Sequence, residues 1–516
     1  MKKLLLLKIL ALATFVVVIF FIWEGNKGFS LLDEGYFWYG TQRVLLGDVP
    51  IRDFSSYDPG RYYWSAAFMS LWDDNGIMAL RISEAIFQVI GIFVGLLLIA
   101  STVKKQDPLY LLLSAIIMML WMTMRFKVAD YSMSIFLIGA LAFLVQNPTS
   151  KRYFFTGFCV GLAAFFGRNH GVYGIAGSVG VMLWLNIKRE GGLGLIKGGA
   201  FWSLGVIIGF MPIILMLILM PGFADAFLGS ILYLFKLKAT NLTLPIPWPW
   251  QFNFASIRLD LAIHAVIVRL FFIAIVAFGL VSIIWVIWQK RLNKSVSPAL
   301  IAASFLALPY AHYAYSRADL VHLCLGVFPL LIGCLVIFST QSAKVKWPRL
   351  ISLCLASFLV VFVDHPGWSC YVSKQCVNMT ISGNDLIVEP DTASDVNLLR
   401  QLAAQYASNG QSFIVTPYWP GAYALLERES PMMDIYAILP STPADEQVEI
   451  EHIKTAQPRF ALIYDYPQDG REDLRFKNTH PLINQYIVDN FKRRSDSPNI
   501  AYQIYIAKAA DAGRGL

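Results

Sequence analysis

Eleven apolar runs dominate the chain, near residues 4–23, 77–101, 108–124, 131–147, 153–167, 171–187, 199–220, 263–288, 297–315, 320–340 and 349–364. A helix needs about 20 apolar residues to cross the hydrocarbon core of a bilayer. Inside that core only a helix or a closed barrel satisfies its own backbone. The runs therefore confine residues 1–364 to a bundle of membrane helices. Composition agrees, since 57% of the 516 residues are apolar and only 15% charged, where a soluble domain carries about a quarter. The fifth and sixth runs are short and separated only by Gly167-Arg168-Asn169-His170-Gly171, the pattern of one buried pair with a polar tip. The first run continues through Ile22-Trp23 without a small-residue cleavage site, so it reads as a retained anchor.

Charge sets the orientation. Lys2-Lys3, Lys104-Lys105, Lys151-Arg152, Lys188-Arg189, Lys290-Arg291 and the Lys344/Lys346/Arg349 group fall at every second boundary of the pattern. Lys and Arg gather in short cytoplasmic loops, which puts the amino terminus inside. An odd number of spans then puts residues 365–516 outside, in the periplasm if the host membrane is a bacterial inner membrane. The net charge is +13 over residues 1–364 and −5 beyond them. Because the basic excess sits in loop pairs, nucleic acid is not an expected partner. Two long loops, 24–76 and 221–262, lie on the outer side. Long loops commonly carry function, and no ATP or nucleotide sugar is at hand there.

After Pro366 the pattern becomes that of a soluble domain, with helical stretches near 393–408, 420–427, 444–456 and 481–491 alternating with apolar runs 412–416, 460–464 and 501–506. That alternation predicts a small α/β domain with a partly parallel sheet. The predicted fold is thus a mainly α-helical polytopic membrane protein of about eleven spans, residues 1–364, followed by a small extracytoplasmic α/β domain, residues 365–516. Cys159, Cys324, Cys334 and Cys354 lie in apolar runs as small hydrophobes. Cys370 and Cys376 lie on the outer side, either as a local disulfide or as two thiols.

In the first loop, residues 33–46 have the spacing of an amphipathic surface helix closed by Gly47-Asp48, and Phe37, Trp38, Tyr62 and Trp64 read as interfacial anchors. Asp33 and Glu34 suit the positive end of that helix. They also suit chemistry. In the second long loop, 231–238 has the pattern of an interfacial helix, whereas the alternating prolines of 245–249 exclude one.

The Asp33-Glu34 pair followed closely by Tyr36, the Gly47-Asp48 turn and Pro59-Gly60-Arg61-Tyr62-Tyr63, all in the first external loop, resemble the polyprenyl-phosphate-sugar-dependent glycosyltransferases of the C-type (GT-C) superfamily. Protein O-mannosyltransferases and lipid A aminoarabinose transferases belong to it. Leu80-Arg81-Ile82, Asp130 and Ser316-Arg317-Ala318-Asp319-Leu320-Val321-His322 are similar to further elements of those proteins. The similarity is strong in the first loop and loose elsewhere. It implies transfer of a monosaccharide from a polyprenyl-phosphate donor to a lipid, glycan or protein hydroxyl by a single inverting displacement, with Asp33 as base and Glu34 as the fallback.

Such a transfer needs a base for the acceptor proton and cations for the charge growing on the departing phosphate. Arg61, Lys127, Arg168, His170, Arg317 and His322 are the candidates for the phosphate, although any one interfacial arginine is equally a headgroup anchor. Asp130 has two readings: a structural pair with Lys127 at helical spacing, or a functional carboxylate. In the second it orients the acceptor or, with Asp33, holds a divalent cation, Mg²⁺ or Mn²⁺. No other cofactor is expected. Membrane lipids and the lipid-linked donor are the expected partners, and the chain is expected to be monomeric. A transporter or flippase is the alternative class, but no repeat relates two halves of the chain. A saccharide polymerase or ligase is another, against which Asp33 argues.

Overall fold

The computed structural model describes all residues except 1–2, 104–106, 189–192, 238–240, 252–257, 374 and 509–516. In chain order, α1 (Lys3–Glu24) leads through two loop helices, α2 (Asp33–Leu45) and α3 (Pro59–Trp72), to α4 (Ile77–Ala100). There follow α5 (Pro108–Leu120), α6 (Val128–Gln146), α7 (Ser150–Phe166), α8 (Arg168–Asn186), α9 (Leu195–Gly209) and α10 (Met211–Leu219). After α11 (Phe223–Leu237) come α12 (Leu259–Arg291), α13 (Pro298–Ser316), α14 (Leu320–Gly326), α15 (Phe328–Ser339) and α16 (Ala343–Val361). The rest comprises α17 (Pro366–Ser373), the strands β1 (Val377–Ile381) and β2 (Asn384–Val388), α18 (Pro390–Tyr406), β3 (Ile414–Thr416), α19 (Gly421–Leu425) and α20 (Pro443–Ala456). It ends with β4 (Phe460–Tyr464), α21 (Phe476–Thr479), α22 (Pro481–Asn490), β5 (Phe491–Arg493) and β6 (Tyr502–Ala507).

Every one of the eleven apolar runs is helical. Among the described residues five helices are long and apolar enough to cross a membrane: α1, α4, α6 with the turn before it, α12, and α16 with the turn after it. The pairs α9/α10 and α14/α15 are each bent by 53° and raise the number to seven. Both bends fall beside a proline, Pro212 and Pro329, whose ring interrupts the helical hydrogen bonds. Between α7 and α8 only Gly167 is non-helical, in extended backbone. Arg168, Asn169 and His170 are therefore the first turn of α8 and not a loop tip.

The chain divides into two compact units, residues 1–25 with 81–369, and residues 26–80 with 370–516. The first, the membrane unit, holds the spans. The second differs from the sequence-based division, which attached the first loop to the membrane part. Gly35 lies so close to Gly421 that a Cβ on it would come 2.5 Å from the Gly421 Cα. Ser55 N–H donates to the Met433 carbonyl at 2.8 Å, Ser430 N–H to the Tyr39 hydroxyl at 3.0 Å and Met78 N–H to Asn384 Oδ1 at 3.1 Å. The loop is thus an integral part of the carboxy-terminal unit.

The reason lies in α2, which is buried on every side from Glu34 to Gln42 and so is not a surface helix. Phe37, Trp38 and Tyr62 are 1%, 0% and 0% exposed, core residues where the sequence suggested interfacial anchors. Trp38 Nε1–H even finds the Asn75 carbonyl at 2.8 Å. The outward apolar stripe lies on α3 instead. There Trp64, Phe68 and Trp72 follow one turn apart as tilted rings, with centroids 4.8 and 5.6 Å apart, beside an exposed Leu71.

The four-stranded sheet has the order β3-β4-β6-β5, with β3 parallel to β4 and the remaining pairs antiparallel. Ile414, Ala461 and Ile463 of the sheet pack on Ile453 of α20 and on Ile483 and Ile487 of α22. β1 and β2 form a separate hairpin. Cys370 and Cys376 are joined in a disulfide just before it.

Candidate active site

Asp33, Glu34 and Arg61 belong to the second unit, and the other six candidates to the membrane unit. Asp33 and Glu34 occupy the first turn of α2, where a helix dipole favours carboxylates. Their side chains differ. Glu34 is 6% exposed and turns back to the Ser30 N–H at 3.4 Å. Asp33 is only half-buried. The Tyr57 phenol is pushed well above its ordinary value by burial and, next, by the Asp33 carboxylate. It therefore stays a neutral donor beside that charge. The Arg61 guanidinium, in the first turn of α3, lies 4.7 Å from the centroid of the Tyr57 ring, itself edge-on to Tyr36 at 5.1 Å. Asp33 of α2, Arg61 of α3 and Tyr57 from the bend just before α3 are thus one group: a carboxylate, a cation and a phenol.

In the membrane unit Asp130 opens α6 and is 2% exposed. Its Oδ1 lies 3.0 Å from His170 Nε2 of α8 and accepts from the Tyr313 hydroxyl of α13 at 3.1 Å. A carboxylate can only accept, so in the neutral ring His170 carries its proton on Nε2, and Nδ1 accepts from the Tyr310 hydroxyl at 2.7 Å. His170 is 1% exposed with both ring nitrogens engaged, which makes it the partner of Asp130. A second chain of contacts, from Tyr173 to His312 at 3.0 Å, flanks the first. Three helices are tied through one carboxylate, which in a lipid-embedded bundle is satisfied by such partners or not at all.

Arg317 and His322 do come together, through a residue between them. Asp319 Oδ2 accepts from Arg317 Nε at 2.8 Å, and Asp319 Oδ1 pairs with His322 Nδ1 at 2.7 Å while capping α14 by accepting the His322 N–H. Burial alone would push the Asp319 carboxyl up, but His322 and then Arg317 hold it below its ordinary value. Residues of the second long loop reach the same group. Asn241 Nδ2 lies 2.7 Å from His322 Nε2, and the Leu242 carbonyl accepts from Arg317 at 3.2 Å. Arg168 donates to Ser230 Oγ at 2.7 Å and lies over the Phe227 ring, so it fastens α11. Lys127 ends the short turn before α6, its ammonium 5.6 Å from the centroid of the Phe126 ring.

The expected cation pair, Asp33 with Asp130, joins residues of different units. Among the described residues no group of three or more His, Cys, Asp or Glu is arranged to hold a metal ion.

The Asp130–His170 network makes a first prediction. Asp130→Ala and His170→Ala should each lower the thermal midpoint in detergent, since either leaves a buried partner with its hydrogen bond unmade, at about 1–3 kcal/mol. The double variant should fall little below the worse single one, with a coupling of about 1 kcal/mol or more. Strictly additive losses would show that the two side chains do not act together.

No protein-family model matches the chain, and no curated protein sequence matches it. Solved structures do. ArnT from Cupriavidus metallidurans bound to undecaprenyl phosphate superposes with a TM-score of 0.58 over 98% of both chains at 13% identity. The apo form of the same protein gives 0.56 over 96% of this chain and 97% of that one, at 11% identity. The chain has the GT-C fold. Archaeal AglB from Archaeoglobus fulgidus is more distant, with a TM-score of 0.43 over 98% of this chain and 75% of its own. For a chain with the GT-C fold, the four residues that sequence reasoning left out, Tyr57, Tyr310, Tyr313 and Asp319, all touch a residue it selected or feel its charge. Only Asp319 carried a usable signal, as an acid between Arg317 and His322.

Proposed function

We propose that the chain is an integral-membrane glycosyltransferase that moves a monosaccharide from a polyprenyl-phosphate donor to a hydroxyl of an envelope lipid, glycan or protein. The observation that carries this reading is the match to the GT-C fold along the whole chain, together with a half-buried Asp33 placed beside Tyr57 and Arg61. In the reaction the Asp33 carboxylate takes the acceptor's O–H proton as the oxygen attacks the anomeric carbon. The bond from that carbon to the phosphate oxygen breaks from the opposite side, and polyprenyl phosphate leaves with its electron pair. Arg61, which cannot be deprotonated in a protein, and the Arg317–His322 pair are the cations assigned to the phosphate. Lys127 and Arg168 are secondary candidates for the same task, and no step is assigned to a divalent cation. The membrane is a bacterial inner membrane, with the amino terminus cytoplasmic and residues 365–516 periplasmic.

The test is a panel of undecaprenyl-phosphate monosaccharides, offered to purified protein with a cell-envelope extract as acceptor. The readout is undecaprenyl phosphate set free. At least one sugar should be consumed with inversion at its anomeric centre. If every donor stays intact with folded protein, the reading is wrong, and movement of a lipid-linked saccharide across the membrane takes its place.

A further inference from the structure

The chain passes between its two units three times, at Gly25/Asn26, at Leu80/Arg81 and at Ser369/Cys370. In the membrane unit these three exits are gathered by one buried polar cluster that the reaction does not use. His365 is fully buried just after the last apolar run, four residues before the third exit. Its Nδ1 lies 2.9 Å from Glu24 Oε2 at the end of α1, and its Nε2 lies 3.0 Å from the Leu120 carbonyl at the end of α5. Arg81, the first residue past the second exit, donates to the Gly25 carbonyl at 2.9 Å. Arg125 donates to the Glu24 carbonyl at 2.6 Å. The carbonyls at the end of α1, which a helix leaves unmade, thus receive two guanidiniums, while the Glu24 side chain receives the imidazole. Phe20 and Trp23 of α1 and Phe362 wall the ring, with centroids at 5.8, 5.6 and 6.4 Å.

This geometry holds a proton. A carbonyl only accepts, so His365 Nε2 carries a hydrogen. The contact between Nδ1 and the Glu24 carboxyl then needs a second one, either on the ring, as imidazolium against carboxylate, or on the carboxyl, as an acid donating to Nδ1. Removing it leaves a lone pair facing a carboxylate in a water-poor site.

We propose that Glu24 and His365, backed by Arg81 and Arg125, are positioning residues. They clasp the three exits and so fix the start of the segment that carries Asp33, nine residues after Glu24. The groups facing His365 are Glu24 from α1 and Asp364 beside it, with His264 of α12 acting on Asp364. Burial alone would lower the ordinary value of 6.5 for His365, and the hydrogen bond and charge of Glu24 raise it above that. The sign follows: a raised histidine contributes fully below its unfolded value and loses its contribution as pH climbs through the folded one. The clasp is fully closed below 6.5 and opens as pH climbs above it.

The inference rests on the transfer reading only for its second readout. The first is limited trypsin cleavage of the full-length protein in detergent at Lys27, just beyond the first exit, taken as a ratio to cleavage at Arg494. With His365→Ala this ratio should rise tenfold or more at pH 6, and with wild type it should rise between pH 6 and 9. Glu24→Gln keeps the contact without the shared proton, because a neutral His365 can accept from the amide. Its ratio should be low and flat over that range. The second readout is transfer kinetics, in which wild-type kcat should fall as rising pH opens the clasp, His365→Ala should lower kcat tenfold with the donor KM unchanged, and Glu24→Gln should lose the fall with pH. The clasp is overturned by a His365→Ala ratio within twofold of wild type. Where that variant does not fold, a Glu24→Gln ratio that rises with pH as wild type does overturns it equally. A wild type that transfers no sugar sinks the transfer reading and leaves the cleavage result to decide.

Discussion

Asp33→Asn is expected to give a folded protein that releases polyprenyl phosphate about 10²–10⁴-fold more slowly than wild type, the usual contribution of a general base. Asparagine keeps the size of the side chain and an oxygen for the first turn of α2, but cannot take the acceptor proton. Glu34→Gln provides the comparison. Its carboxyl is buried and turned to the Ser30 backbone, and glutamine keeps an oxygen for that N–H, so the replacement should change the rate less than about tenfold and lower the midpoint only slightly, by the charge the contact loses. The two variants therefore separate the base from its neighbour, which adjacent acids in a sequence cannot do. Equal losses of rate in both, in proteins of equal stability, would remove Asp33 from the role.

The spans were legible because hydrocarbon imposes a length, and a run such as 77–101 has no other use. The direction in which an apolar helix faces was not. Residues 33–46 show helical spacing whether the apolar side meets lipid or protein, and burial of α2 against α3 and α19 depends on Gly421, nearly 400 residues away. The carboxy-terminal strands β3, β4 and β6 announced themselves as apolar runs. β5, which reads Phe-Lys-Arg, carries no such signal and is a strand because β6 offers it an edge.

The site was legible by residue type and not by partnership. Asp130 was selected to orient the acceptor or hold a cation and His170 to meet the phosphate, and the structure makes them partners across 40 positions with two tyrosines that no motif marks. A tyrosine inside a span is ordinary until its hydroxyl is seen to meet a carboxylate. Arg317 and His322 fared better, because their partner lies between them and the short turn into α14 brings all three together. Glu24 and His365 were never considered, being an acid at the end of an apolar run and a histidine beyond the last one, 341 positions apart.

The tightest packing in the membrane unit makes the other large prediction. On α7 and α9 the pairs Gly157/Gly161 and Gly205/Gly209 face each other, four residues apart on each helix. A Cβ would come 1.9 Å from the Trp202 carbonyl oxygen at 157, 2.2 Å from that of Val206 at 161, 2.0 Å from that of Phe154 at 205 and 2.1 Å from that of Phe158 at 209. Each obstacle is backbone, which cannot rotate away as a side chain does. Between helices in lipid there is no hydrophobic drive to offset a lost fit, and close backbone approach at small residues supplies the association. Gly205→Ala should therefore push the two helices apart along their length, costing about 1–3 kcal/mol and lowering the thermal midpoint in detergent by several degrees. Gly205→Leu should abolish the folded species in size-exclusion chromatography. Gly199→Ala, on the same helix with nothing within 4 Å of its Cβ position, should be neutral or stabilising by about 0.5–1 kcal/mol through helix propensity alone. Because Gly167 alone separates α7 from α8, a displaced α7 should also disturb His170, and loss of the Asp130–His170 coupling in Gly205→Ala would show it. If Gly205→Ala matches Gly199→Ala in stability, the glycine contact does not hold these helices together.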